Sequence, residues 1–179
     1  MIKFIFKEHR YLILYSVSII LTIILYAFGL LESFVSYLKL FGYLSSFILG
    51  ILYTTAFTTP FAVGAYLLLD SGMNPIIGGI LGGLGAVLID IMIFEFSESE
   101  IGKTFKFGHH AYKLKRIRNK FVLEISPILA FLIFLSPLPD ELAAMLLGLE
   151  KYSLKRFAII SFVANSLGVF SILSISSVI

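Results

Sequence analysis

Long uncharged runs alternate along this chain with short polar knots, and the lengths of the runs decide what they predict. Lys3, Lys7 and Arg10 precede an uncharged apolar stretch from Tyr11 to Leu31, long enough as a helix to cross a bilayer core of about 30 Å at about 1.5 Å per residue. A signal peptide carries an apolar region of about 7–15 residues ending at a small-x-small site. No Ala-x-Ala follows here, so the run reads as a retained helix. A second apolar stretch, Leu40 to Phe57, reaches Thr58-Thr59-Pro60, and a short piece from Phe61 to Leu69 ends at Asp70-Ser71-Gly72. Neither piece makes a comfortable span. Two half-length helices joined at a proline predict a re-entrant hairpin, its tip inside the membrane and both ends on one side.

From Pro75 to Phe96 the chain is apolar and glycine-rich, with proline at a favourable first helical position and enough length to cross. Ser97 to Lys120 is the one extended polar stretch. After it the pattern returns: an apolar run from Phe121 to Leu135, a Ser136-Pro137-Leu138-Pro139 break, a short piece from Leu142 to Leu149, a polar knot from Glu150 to Arg156, and a last apolar run from Phe157 to Ile179. An offset of 79 lays Pro60 on Pro139, Ala65 on Ala144, Leu68 on Leu147 and Gly85 on Ala164. The matches are few, so the order of elements carries the repeat more than identity does. Repeats built on interrupted helices are typical of transporters, with sites at the repeat interface. The expected fold is an all-α polytopic membrane protein: an inverted repeat of a re-entrant helical hairpin plus a transmembrane helix, with an extra N-terminal transmembrane helix. One domain holds it all, with the first helix at 11–31, the first repeat at 40–96, a basic loop at 97–120 and the second repeat at 121–179.

Composition agrees. Of the 179 residues 59% are hydrophobic and 14% charged, and mean hydropathy is +1.00, whereas soluble domains run about 45–50% apolar and about 25% charged. There is no cysteine, which removes disulfides, thiolate metal sites and Cys nucleophiles. The net charge of +3 matters through its placement. With a cytoplasmic N-terminus, 13 Lys and Arg fall inside and only Lys39 outside, the asymmetry of a plasma-membrane protein with positive loops inward. Full spans in place of the hairpins would give the same count, so the shortness of 61–69 and 142–149 decides for hairpins.

The segments TTPFAVGAYLLLDSGMNPIIGGILGGLGAVLID (58 to 90) and SPLPDELAAMLLGLEKYSLKRF (136 to 157) resemble the DedA/VTT (SNARE-associated Golgi protein-like) superfamily. The likeness covers roughly residues 40 to 175. It implies an inverted repeat with two re-entrant hairpins and movement of lipids between leaflets, polyprenyl phosphate in prokaryotic members and phospholipid in eukaryotic ones. The chain departs from the carrier-lipid members, which place arginines beside the proline of the second hairpin. Here Asp140 and Glu141 stand there, and ionised acids repel a phosphate.

Asp140 and Glu141 are the sharpest candidates for a proton-coupling or substrate pathway. A charged Asp costs roughly 2.5–3.5 kcal/mol at a helix centre, and acids in that position face a cavity or a partner. The structural alternative is that Asp140 caps the helix starting at Glu141. Asp90 in the glycine-rich helix joins them, while Glu95 is expected near the surface and Asn165 as interhelical glue. Thr58, Thr59, Pro60, Ser136, Pro137 and Pro139 mark the hairpin tips, the threonines satisfying carbonyls freed at the break. Gly78-x-x-x-Gly82 and Gly79-x-x-x-Gly83 permit close helix approach, by the hairpin helices above all. Lys151, Lys155 and Arg156 are candidates for headgroup recruitment, with positive-inside anchoring an equal explanation. His109-His110 lie in the basic loop, where adjacent histidines do not share a helical face, so no metal site and no cofactor are expected.

The expected function is therefore lipid transport between leaflets with membrane lipids as partners and no nucleic acid; a homodimer stays open, with no residue pointing to it. A proton-coupled small-solute or ion transporter is the alternative, and a non-catalytic membrane assembly protein a further one. An enzyme is not expected: the chain has no H-E-x-x-H, no Gly-x-Ser-x-Gly and no cysteine.

Overall fold

The computed structural model describes residues 10–69, 73–98, 120–138, 140–149 and 152–177. Among them the chain is all-helical. Eight helices follow in order: α1 (Arg10–Ala27), α2 (Leu30–Lys39), α3 (Leu44–Tyr53), α4 (Thr59–Leu68), α5 (Pro75–Glu98), α6 (Lys120–Leu135), α7 (Glu141–Leu149) and α8 (Leu154–Ser176). Two of them, α5 and α8, are long and apolar enough to cross a membrane, and a third span is present if α1 and α2 form one bent crossing.

The N-terminal run does not continue straight to Leu31. It stops at Ala27, and α2 leaves at 82° to it. The cause is local. Gly29 takes φ 71, a left-handed conformation that other L-residues adopt only with strain, so the chain leaves the helical path there. Leu31, Val35 and Leu38 then fall on one buried face of α2 while Ser33, Ser36 and Lys39 stay exposed, the spacing of an amphipathic helix.

The long helices α5 and α8 form the central pair, and the half-helices pack around them. Helix α3 lies on α5 and α4 on α8; in the second half α6 lies on α8 and α7 on α5. Exchanging the halves leaves this pattern of neighbours unchanged. Each hairpin builds its own apolar cluster, Leu49, Tyr53, Ala62, Ala65 and Tyr66 with α2 in the first, and Ala130, Phe134, Ala143, Ala144 and Leu147 with Phe94 and Phe157 in the second.

Glycine makes the close approaches possible. A Cβ on Gly50 would strike the backbone of Gly82, and one on Gly85 would strike the Phe47 carbonyl, so α3 and α5 touch backbone to backbone. Gly79 and Gly83 serve a different neighbour, facing Ser166 and Phe170 of α8. The glycine-rich face expected to receive the hairpin thus receives the other long helix as well. At the start of α5, Asn74 Oδ1 accepts the Ile76 N–H at 2.9 Å, capping a helix whose first residue, Pro75, has no N–H to offer.

Candidate functional site

The first break lies between α3 and α4. A helix end leaves its last carbonyls without intrahelical partners, and hydrocarbon offers no water to take them. Two threonines supply the donors, and a third meets one of them. Thr58 Oγ1 donates to the Leu52 carbonyl, and Thr59 Oγ1 donates to those of Tyr53 at 2.8 Å and Thr55 at 2.6 Å. Thr55 and Thr58 hydroxyls meet at 2.8 Å. The structural role expected of Thr58 and Thr59 is the one observed, with Pro60 in the first turn of α4.

The second break lies between α6 and α7 and docks against the first. The Asp140 N–H donates to the Thr54 carbonyl at 3.1 Å, Tyr53 donates its hydroxyl to the Ser136 carbonyl at 3.2 Å, and the Ala56 N–H reaches Glu141 Oε1 at 3.4 Å. Helix α1 covers both breaks: Tyr15 donates to the Pro137 carbonyl and Ser18 to that of Phe57. Pro139 lies outside the described residues. Unwound backbone from the two halves therefore meets in one place, with Asp140 at its centre.

Asp140 is fully buried, and neither carboxylate oxygen has a hydrogen-bond partner among the described residues. The side-chain cap is not made. Only its backbone carbonyl serves the helix, accepting the Ala144 N–H at 2.9 Å. Beside it stands a polar cluster between α5 and α8. Asp90 Oδ2 accepts from Ser161 Oγ at 2.6 Å and from Asn165 Nδ2 at 3.0 Å, and Asp140 is close enough to Asp90 and Asn165 to feel both. All four side chains are buried. One turn away from the cluster, Phe94 and Phe157 stack with centroids 4.3 Å apart, and Phe134 meets Phe157 edge-on at 5.9 Å. These rings close that end of the α5–α8 seam with apolar surface.

No family model, curated protein or solved structure matches this chain. Its chemistry is read from the residues alone.

The structure brings Asp90 and Asp140 together, with Glu141 alongside at the docked break. It leaves Lys155 and Arg156 exposed at the start of α8, away from the buried carboxylates, and Lys151 lies outside the described residues, as do His109 and His110. Glu95 is exposed. Asn165 makes the interhelical hydrogen bond expected of it, and its partner on α5 is the buried Asp90. Sequence reasoning missed Ser161 and Tyr53. Ser161 carried a signal: it stands four residues before Asn165, so on a helix both occupy one face. Among the described residues no three His, Asp or Glu side chains converge on a metal position.

Proposed function

We propose that the protein moves lipid between the leaflets of the cell membrane in the manner of a DedA/VTT-type transporter, with its N-terminus cytoplasmic and the two breaks acting as re-entrant hairpin tips. The observation that carries this reading is the docking of two unwound segments, one from each half, over buried carboxylates. Interrupted helices that meet at a repeat interface are how membrane transporters build a midplane site. The repeat is supported by the neighbour pattern, which survives exchange of the halves. It is supported too by register: the offset of 79 that lays Pro60 on Pro139 also lays Pro75, the start of α5, on Leu154, the start of α8.

In this mechanism the polar groups of the tips, Thr55, Thr58 and Ser136 with the freed carbonyls, replace headgroup hydration as the lipid passes the apolar core, while Asp90 and Asp140 take up the positive charge that couples the step. Lys155 and Arg156, exposed where α8 begins, recruit the headgroup; a basic residue at an anionic surface contributes about 1 kcal/mol. Purified chain in liposomes carrying a fluorescent phospholipid or polyprenyl phosphate in one leaflet tests the proposal. Protein-dependent equilibration of either lipid is expected; folded protein that moves neither contradicts it.

One observation favours a second reading, a cation-coupled transporter of a small solute. The docked tips present acids and no described basic side chain, a poor environment for an anionic headgroup. Solute flux driven by a cation gradient, in liposomes where lipids stay asymmetric, would establish it in place of the first.

A further inference from the structure

Four acceptor atoms in the polar cluster have no donor among the described residues: both oxygens of Asp140, Oδ1 of Asp90 and Oδ1 of Asn165. Their side chains are fully buried. The donors at hand, Ser161 Oγ and Asn165 Nδ2, both reach Asp90 Oδ2, and the Asn165 amide also faces Ser161 Oγ and the Asp140 carboxylate. Asn165 Oδ1 shares a carbon with that Nδ2, which keeps it inside the cluster. A buried acceptor without a partner is costly and a buried carboxylate more so, and the described basic side chains Lys39, Lys155 and Arg156 are exposed and bring no compensating charge.

We propose that Asp140, Asp90 and Asn165 form a binding site for a single sodium ion. The donor set is oxygen only, which selects a hard cation. A divalent ion draws on six or more oxygens or keeps several waters, whereas this cluster gathers two carboxylates and one amide between packed helices. Glu141 is engaged elsewhere, its Oε1 accepting the Ala56 N–H. A proton shared by the two acids would be one donor to one acceptor, leaving Asn165 Oδ1 and a second Asp140 oxygen unmet. One sodium ion beside that proton meets the rest and leaves the cluster neutral. The groups facing Asp140 are Asp90, Asn165, Glu141 and Tyr53, none of them cationic. In transporters with broken helices, coupling ions sit at such unwound segments. The inference rests on the junction being the transport centre and is independent of the cargo.

The test is thermal unfolding of the purified full chain in detergent with sodium, potassium, choline, calcium or magnesium chloride at equal ionic strength, repeated across neutral pH. Sodium alone is expected to raise Tm saturably, by several degrees at about 100-fold excess over Kd. Asp140→Asn and Asn165→Leu should lose the shift, and Lys39→Ala should keep it. Radioactive sodium binding to the unaltered chain, displaced by sodium and not by potassium, gives the same answer without a variant. Equal shifts with potassium or choline, a shift with a divalent ion alone, a response to pH indifferent to sodium, or a full sodium shift in Asp140→Asn each overturns the site. Sodium binding by a chain that moves no lipid would leave the site standing and overturn the lipid reading.

Discussion

The two helix breaks solve one problem in opposite ways. At the first, Thr58 and Thr59 turn their hydroxyls to carbonyls at the end of α3 while Thr55 meets the Thr58 hydroxyl, and the acid that reaches it, Glu141, accepts the Ala56 N–H. At the second, Ser136 satisfies the Ile133 carbonyl, yet Asp140 carries a fully buried carboxylate with no donor among the described residues. The first break meets the carbonyls of Leu52 and Tyr53 with hydroxyls from its own segment, and it gives its Thr54 carbonyl and Ala56 N–H to the second. The second is incomplete without a proton or a cation, and it leans on the first for the bond from its own backbone N–H. Such an unmet group is destabilising, and a fold keeps it where chemistry needs it. On the proposed transport reading the charge-bearing step falls to the second break.

Replacing Asp140 should give the largest change in stability, and in an unusual direction. Asp140→Asn removes a buried charge and adds an N–H that can serve the unmet Oδ1 of Asp90, so stability in sodium-free buffer should rise by about 1–3 kcal/mol. Thermal or denaturant unfolding in detergent measures it, and a fall of that size would break the comparison. Thr59→Val should move the other way by about 1–2 kcal/mol, because the Tyr53 carbonyl loses its hydroxyl donor in a place water does not reach, while the Thr55 carbonyl keeps the N–H groups of Thr58 and Thr59. Tyr53→Phe removes the hydroxyl that joins the first break to Ser136 and should lower stability by about 0.5–1.5 kcal/mol. The same unfolding curves report it, and an unchanged midpoint would show the docking to be carried by backbone alone. Glu141→Gln should be the mildest, within about 0.5 kcal/mol, since an amide oxygen still accepts the Ala56 N–H.

Much of this architecture is legible in the sequence. Apolar runs bounded by Pro60 and by Ser136-Pro137 set the breaks, Pro75 sets the start of α5, and the scarcity of charge points to Asp90 and Asp140 before any contact is known. Three features were not legible. The early turn into α2 depends on the φ of one glycine inside an otherwise uninterrupted apolar run, and Gly29 looks no different there from a helical glycine. Asp140 before Glu141 also fits a helix cap, the structural alternative, because capping is a local rule; the docking of Thr54 and Asn165 against it comes from elsewhere in the chain. Ser161 meets Asp90 across 71 residues of sequence, and no periodicity encodes which face of α5 turns toward α8. The glycines on that face are visible as a pattern, but their division between α3 and α8 appears only in the packed structure.

The central claim, that transport depends on the buried carboxylate of the second break, is tested most directly by one paired measurement of lipid equilibration in liposomes. Rates for Asp140→Asn and Thr59→Val are compared at a temperature where both variants are folded. The account predicts a loss of about ten-fold or more for Asp140→Asn, equivalent to about 1.4 kcal/mol of barrier, despite its greater stability, and a rate for Thr59→Val within about two-fold of the unaltered chain despite its lower stability. Transport by Asp140→Asn at the full rate, or loss that follows stability across the two variants, would contradict it.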